Sequence, residues 1–131
     1  MKSLIVDDEK VNQSILLHFL SNYGPCITAE DGEEAIYEFK EALLQNEPFQ
    51  LICMDIMMPK IDGHRALKEI RYLEKRYNIP KESFAKVIVT SSLNDSENAN
   101  IAFYQDHADA YLIKPIHIKQ LADLLKQLEL T

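Results

Sequence analysis

Polar side chains with distinct chemistry stand at the ends of short apolar runs in this sequence. Asp7 and Asp8 follow the first run, Asp55 follows another, and Thr90 and Lys114 end two more. Carboxylates held close together raise one another's pKa or demand a cation, and Mg²⁺ binds one or two carboxylates together with water and phosphate oxygens. A hydroxyl donor and a fixed ammonium complete the groups that phosphoryl transfer uses for positioning and charge neutralisation. These residue types predict a site for Mg²⁺, or for Mn²⁺, and for phosphoryl chemistry.

Each of these residues has a simpler interpretation when it is considered alone. Asp7 and Asp8 are of a type that caps helices. Asp55 precedes a turn at Pro59, and a single Lys114 would normally be a solvated surface residue. The functional interpretation therefore depends on elements that bring all of these side chains to one place.

The surrounding sequence alternates short apolar runs with longer helical patterns. The apolar runs predict β-strands at 3–6, 26–29, 51–54, 86–90 and 110–113. The helical patterns lie near 10–22, 32–45, 63–77, 95–106 and 117–129. The strands are apolar throughout, which is typical of parallel strands covered on both faces. This (βα)5 pattern predicts a doubly wound α/β domain with a flavodoxin-like five-stranded parallel sheet in the order 2-1-3-4-5.

The predicted topology would position the polar residues. Ligands of such sheets bind beyond the carboxyl ends of the strands, at the switch point between strands 1 and 3. Asp7 and Asp8 leave strand 1, and Asp55 leaves strand 3. We therefore expect the three carboxylates to converge in one crevice, with Thr90 and Lys114 at the ends of strands 4 and 5 beside them.

The first helix offers two possible inner faces. Its apolar residues align either as Val11, Ile15 and Phe19 or as Leu16 and Leu20. Both sets have helical spacing, so the pattern leaves the choice open.

The segment 71–86, RYLEKRYNIPKESFAK, is rich in charged residues. Arg71 and Lys75 are spaced as neighbours on a helix surface, with Glu74 beside them. The segment is predicted to form a solvated face.

Composition limits the class of protein. The chain has 131 residues, 47% hydrophobic and 27% charged, which suits a single globular domain over 1–131. A net charge of −7 argues against binding to nucleic acid or to an anionic membrane. No run approaches the length of a membrane span and the first apolar run is too short for a signal peptide, so we expect a cytoplasmic protein. Cys26 and Cys53 are expected to be free thiols in strands.

Four motifs together resemble the receiver domain of bacterial two-component response regulators. They are LIVDDE, MDIMMPKIDG, VIVTSS and AYLIKPI, and the resemblance extends over essentially the whole chain. Each motif is weak alone, and the combination is specific. In this family the bond that corresponds to Lys114–Pro115 is often cis.

The resemblance implies a role for each site residue. Asp55 would be the phosphoacceptor, taking a phosphoryl group from a phosphohistidine of a sensor histidine kinase or a histidine phosphotransfer protein. Asp8 would bind Mg²⁺ directly, Asp7 mostly through water, and the backbone carbonyl of Met57 would be a further ligand. Lys114 would pair with the phosphoryl oxygens.

The resemblance also implies how the signal is read and ended. Thr90 would turn inward to hydrogen-bond the phosphoryl group, and Tyr111 would follow into the vacated space. Met57 and Ser92 would lie beside the path of the hydrolytic water. Neither resembles an acid or amide that orients water, so we expect slow autodephosphorylation. The protein would not be an enzyme in its own right, although it would assist its own phosphorylation.

The place of the domain in a pathway has several alternatives. The chain ends just after the fifth predicted helix, so we expect no output domain. It would be a stand-alone switch, like the chemotaxis regulators, that binds an unidentified downstream protein. It would otherwise be a phosphorelay intermediate, or a receiver excised from a larger hybrid protein.

Other classes of protein fit the sequence less well. A phosphohydrolase that uses an aspartyl phosphate would need an acid two residues after Asp55, where Met57 stands. A phosphorylation-independent interaction module would not need the complete set of site residues. A flavin-binding domain would need a phosphate-cradling first loop, and the loop DDEKVN is acidic and lacks glycine.

Overall fold

A computed structural model describes residues 1–58, 60, 62–92 and 108–131 of the chain. In these ranges one parallel sheet has the strand order β2-β1-β3-β4-β5. Its strands are β1 (Ser3–Val6), β2 (Cys26–Ala29), β3 (Leu51–Asp55), β4 (Lys86–Ser91) and β5 (Ala110–Ile113). The predicted parallel α/β fold and its strand order are confirmed.

Four α-helices belong to the described residues. They are α1 (Lys10–Leu20), α2 (Gly32–Leu44), α3 (Gly63–Arg76) and α4 (Ile118–Gln127), with a short 3₁₀ turn at Lys81–Ser83. The helices end one or two residues before the predicted ends, and β3 and β4 each extend one residue further than predicted. Pro59 and the helix predicted near 95–106 lie outside the described residues.

The core forms two apolar layers, one on each face of the sheet. Ile52 and Met54 of β3 face a layer that α2 and α3 cover. Leu51 and Cys53 alternate with them and face the layer under α1 and α4. Because both faces are buried, the strands are apolar at nearly every position, as the sequence predicted.

The structure decides which face of α1 is inside. Leu16 and Leu20 are buried, together with Gln13. Val11 and Ile15 are 70% and 40% exposed. The second of the two possible inner faces is therefore the one that packs on the sheet.

The prediction of a solvated face at 71–86 is wrong for Arg71 and Glu74, which are only 8% and 1% exposed. Arg71 Nη1 donates hydrogen bonds to Glu74 Oε1 and to the carbonyl oxygen of Ala85, each at 2.8 Å. Arg71 Nη2 donates to Asp109 Oδ2 at 3.1 Å. These side chains are inside because peptide groups at the start of β4, those of Ala85 and Val87, require partners.

Two further predictions are addressed by the fold. Cys26 and Cys53 are free thiols, as predicted. Within the described ranges, no helix has the length and apolar character needed to cross a membrane.

Candidate functional site

Three acids meet where β1 and β3 end. Val6 pairs with Met54 across these strands, so Asp7 and Asp55 leave the sheet side by side. One carboxylate oxygen each of Asp7, Asp8 and Asp55 lies within 4.8 Å of the other two. The structure thus brings the three predicted metal-binding acids into one cluster.

A lysine from the end of the sheet enters this acidic cluster. Lys114 follows β5, and its Nζ lies 3.1 Å from Asp7 Oδ2 and 3.2 Å from Asp55 Oδ2. The Lys114 backbone N–H donates to the Ser91 carbonyl at 2.7 Å, and the following peptide bond to Pro115 is cis. One ammonium faces three carboxylates, so the cluster keeps negative charge that a divalent cation can neutralise.

The buried position of Asp55 changes its acidity. Burial raises the pKa of the Asp55 carboxyl to about 6, and the negative charge of Asp7 adds to this, while Lys114 opposes it. Burial disfavours the Lys114 ammonium, but Asp55 and Asp7 outweigh that effect and raise its pKa. At neutral pH the site therefore contains an ionised but unusually basic carboxylate beside a permanent cation.

Backbone contacts hold Asp55 in place. The Met57 N–H donates to Asp55 Oδ1 at 3.2 Å, and the Ile56 N–H donates to the Thr90 carbonyl at 3.1 Å. The first residue of α3, Gly63, donates its N–H to the Ile56 carbonyl at 2.9 Å. A Cβ on Gly63 would lie 2.5 Å from the Asp55 carbonyl oxygen, so only glycine allows α3 to begin this close to the site.

A buried glutamine that the sequence analysis missed holds Asp7. Gln13 of α1 is 6% exposed, and its amide donates to the carbonyl oxygens of Asp7 and Ala29. It thus joins the carboxyl ends of β1 and β2 behind the acids. The available signal was a polar residue within the apolar pattern of α1, which is also common on exposed faces.

The acidic cluster fits a hard divalent cation. Asp7 Oδ1 accepts a hydrogen bond from the Glu9 N–H at 2.9 Å. Asp7 Oδ2 is buried and, among the described residues, accepts no hydrogen bond of good geometry, although it lies close to Lys114. The Asp8 side chain is exposed at the mouth of the site. A buried carboxylate oxygen without a hydrogen bond of good geometry, next to two further carboxylates, belongs to a donor set that suits Mg²⁺.

The remaining predicted residues surround Asp55 at different depths. Thr90 is 2% exposed and pairs with Asp55 across β3 and β4. Ser92 follows β4 and is half-buried. Met57 is 55% exposed, and Tyr111, on β5, is 41% exposed. Thr90 therefore adjoins Asp55 within the sheet, whereas Met57 and Tyr111 present large side chains to solvent.

Comparisons with known proteins agree with this geometry. The sequence profile of the response regulator receiver domain matches residues 3–126. The chain is 35% identical to the probable transcriptional regulator ycf27 of Cyanophora paradoxa over 128 residues, which cover 97% of this chain and 47% of that protein. The chain thus spans about half the length of the curated relatives it matches.

Two solved structures with similar folds contain Mg²⁺ and BeF₃⁻. The receiver domain of the histidine kinase CKI1 from Arabidopsis thaliana, complexed with Mg²⁺ and BeF₃⁻, is 30% identical with a TM-score of 0.82, covering 99% of this chain and 90% of that one. A chain of the CheX–CheY–BeF₃⁻–Mg²⁺ complex from Borrelia burgdorferi is 26% identical with a TM-score of 0.80, covering 100% of this chain and 90% of that one.

Proposed function

The chain belongs to the response regulator receiver domain family, and from this we propose that it is a switch controlled by phosphorylation of Asp55. The donor is a phosphohistidine of a histidine kinase or a histidine phosphotransfer protein. The observation that carries the proposal is the buried Asp55 carboxylate, clustered with Asp7 and Asp8 and 3.2 Å from Lys114 Nζ. This arrangement supports phosphoryl chemistry because it combines a nucleophile, oxygen ligands and a fixed cation.

We assign the metal-binding role to the acidic cluster. Asp7, Asp8 and Asp55 would hold Mg²⁺ or Mn²⁺, with the Met57 backbone carbonyl as a further ligand. When bound, the ion supplies charge neutralisation to the phosphoryl oxygens. The Mg²⁺ and BeF₃⁻ in the similar CKI1 and CheX–CheY structures support this assignment.

The transfer step uses Asp55 as the nucleophile. A carboxylate oxygen attacks the phosphorus, an O–P bond forms, and the N–P bond to the donor imidazole breaks with its electron pair remaining on nitrogen. The raised pKa of Asp55, about 6, leaves the carboxylate ionised at neutral pH and more basic than an ordinary one. Lys114 keeps its charge and would move from pairing with the carboxylate to pairing with a phosphoryl oxygen.

The output is a change of the protein-binding surface around β5. Thr90 gains a hydrogen bond to the phosphoryl group, and Tyr111 repacks beside it, which biases a two-state element. The target is a downstream protein and neither nucleic acid nor a membrane, consistent with the net charge of −7. The protein acts in the cytoplasm as a phosphoacceptor and not as a turnover enzyme.

The lifetime of the phosphoryl group depends on the side chains beside the path of the hydrolytic water. Met57 is 55% exposed and offers no strong hydrogen bond to a water approaching Asp55. Ser92 is short. Slow loss of the phosphoryl group to water would suit a relay intermediate that must preserve the group, or a switch that a separate phosphatase resets.

Intact-mass spectrometry with a small phosphodonor tests the proposal. Incubation with acetyl phosphate and Mg²⁺ is expected to add one acid-stable, base-labile phosphoryl group, and chelation of Mg²⁺ to prevent it. Asp55→Asn should fold and remain unlabelled, while Asp123→Asn on the exposed face of α4 is the matched control. Equal labelling of Asp55→Asn and the parent would overturn the assignment.

A further inference from the structure

A cleft lies at the amino ends of β4 and β5, opposite the strand ends that carry the acidic cluster. This cleft of about 620 Å³ is formed by the end of α3, the segment that leads to β4, and the residues that lead into β5. Lys86 begins β4 and lines the cleft, whereas Thr90 stands near its other end. At ~3.3 Å per residue these positions are ~13 Å apart, so the cleft is separate from the acidic cluster.

The rim of the cleft is positively charged. Lys75, Lys81 and Lys86 all line it. Among the parts of the chain that the structure describes, no carboxylate lies within 4.0 Å of any of these three ammonium groups. Three such charges around one cavity are notable in a chain whose net charge is −7.

The guanidinium of Arg71 also lines the cleft, but its charge is already matched. It pairs with Glu74 at 2.8 Å and with Asp109 at 3.1 Å. Arg71 and its two carboxylate partners together have a net charge of −1. The three lysines have a total charge of +3. Counted over the described residues that line the cleft and their ion-pair partners, the net charge is therefore about +2.

The interior of the cleft is partly apolar. Ile79 and Phe84 line its wall and are half-buried, and Ala85 and Ala108 are buried at its floor. The Arg71 guanidinium carbon lies 5.7 Å from the centroid of the Phe84 ring, which fixes the position of that ring. An apolar wall next to cations is suited to a ligand with a flat or apolar body and an anionic end.

We propose that this cleft binds a small phosphorylated ligand of the nucleotide class. Its phosphates would lie against Lys75, Lys81 and Lys86, and its base against Ile79 and Phe84. The volume falls within the roughly 300–1,000 Å³ of small-molecule sites, which favours a compact ligand over an extended acidic peptide. This site is independent of the phosphoacceptor role of the acidic cluster.

Binding is tested by calorimetry and amide NMR on the full chain, with EDTA present so that no divalent ion bridges the probe to the acids. ATP is expected to bind, with amide shifts concentrated in 75–86 and 108–109. Pyrophosphate should bind more weakly because it lacks a base, and adenosine should not bind because it lacks the phosphates. Asp55→Asn should bind ATP as the parent does, which separates this result from the phosphoacceptor test.

Variants matched in charge test whether ATP binds in the cleft. Lys75→Gln/Lys81→Gln/Lys86→Gln should weaken ATP binding by about tenfold or more, ~1.4 kcal/mol. Its control, Lys40→Gln/Lys119→Gln/Lys126→Gln, removes the same charge at exposed positions elsewhere and should bind ATP like the parent. The double variant Lys75→Gln/Lys81→Gln, which alters only exposed side chains, should show an intermediate loss.

Three outcomes would overturn the proposal. The first is equal weakening in the cleft and control variants, which would indicate a response to net charge alone. The second is equal affinity for adenosine and ATP. The third is binding of oligoglutamate with no binding of ATP, which would identify an acidic peptide as the ligand.

Discussion

Two cations, the buried Arg71 and the half-buried Lys114, lie between pairs of carboxylates at opposite ends of the strands. The amino-edge cluster consists of Arg71, Glu74 and Asp109. The carboxyl-edge cluster consists of Asp7, Asp8, Asp55 and Lys114. In both, the cation lies about 3 Å from two carboxylates, at 2.8 and 3.1 Å in the first and 3.1 and 3.2 Å in the second. The clusters differ in what else their oxygens bind.

Backbone groups pair with the side chains of the amino-edge cluster. Glu74 Oε2 accepts a hydrogen bond from the Ala85 N–H at 2.7 Å, and Asp109 Oδ2 accepts one from the Val87 N–H at 2.8 Å. Arg71 also donates to the Ala85 carbonyl. Burial raises the pKa of Glu74 even though Arg71 opposes the shift. A network completed by peptide groups fixes α3 to β4 and β5, and its role is structural.

The carboxyl-edge cluster is left incomplete. Asp8 is exposed, and the buried Asp7 Oδ2 accepts no hydrogen bond of good geometry from any described residue. Three carboxylates share one ammonium. The carboxyl-edge cluster has one more carboxylate, which is exposed, and a buried oxygen without a hydrogen bond of good geometry, so the number of ion pairs alone does not distinguish structure from function.

Arg71→Met should cause the largest loss of stability. It leaves the buried Glu74 and the half-buried Asp109 without their cation, which costs ~3–5 kcal/mol of the free energy of unfolding. Urea denaturation measures this, with Arg65→Met on the exposed face of α3 as the control within ~0.5 kcal/mol. A cost below about 1 kcal/mol for Arg71→Met would mean that the amino-edge cluster is not structural.

Asp55→Asn should instead stabilise the metal-free protein. The folded pKa of Asp55 is raised from 3.8 to about 6, so the native state binds more protons than the unfolded state in that interval. Protonated Asp55 therefore makes its full contribution to the free energy of unfolding below about pH 4. This contribution is lost as the pH rises through about 6 and the carboxyl ionises. Above pH 7 the variant should gain ~1–2 kcal/mol, less than the full shift because the Asn amide reproduces a protonated carboxyl only in part.

Denaturation in EDTA at several pH values checks this sign. The gain in Asp55→Asn should shrink as pH falls and vanish near pH 4, while exposed Asp123→Asn should follow the parent. A variant that is less stable than the parent at pH 7.5 would contradict the view that the carboxyl-edge cluster carries surplus charge.

Lys114→Met should tighten Mg²⁺ binding. The ammonium competes with the ion for Asp7 and Asp55, so its removal should lower the dissociation constant by about tenfold, ~1.4 kcal/mol. Calorimetric titration measures the affinity, with exposed Lys126→Met of α4 as the control of equal charge. Weaker Mg²⁺ binding in Lys114→Met than in the control would show that the lysine orders the acids and does not compete for them.

The smallest expected effect concerns the lifetime of the phosphoryl group. Met57→Glu or Met57→Asn should speed its loss about threefold or more, since either can orient a water in line with phosphorus. Met57→Leu, which keeps the apolar bulk, should decay like the parent. The decay of the purified phosphoprotein in Mg²⁺ measures this, and unchanged rates in Met57→Glu and Met57→Asn would remove Met57 as a limit on water.

The sequence predicted the sheet and the convergence of the acids because both follow from local signals. Continuous apolar runs indicate strands covered on both faces. A polar residue directly after such a run must lie at the carboxyl edge, whichever helices surround it. The positions of Asp7, Asp55 and Lys114 therefore needed only the strand order.

The features that were missed depend on distant partners. Arg71 and Glu74 have the spacing of an exposed helical pair, and their burial follows from Asp109 and the Ala85 peptide, which helical periodicity does not reveal. Gln13 looks like a surface residue until the β1 and β2 carbonyls are in place. Local sequence patterns do not reveal which polar side chains will hydrogen-bond to the peptide groups at the ends of the strands.

The most direct test is to locate the phosphoryl group on the chain. The protein would be labelled with acetyl phosphate in Mg²⁺, reduced with borohydride to mark the acyl phosphate, digested, and sequenced by tandem mass spectrometry. The account predicts a single modified residue, Asp55. Modification at a histidine, at Asp7 or at Asp8, with Asp55 unmodified, would contradict it.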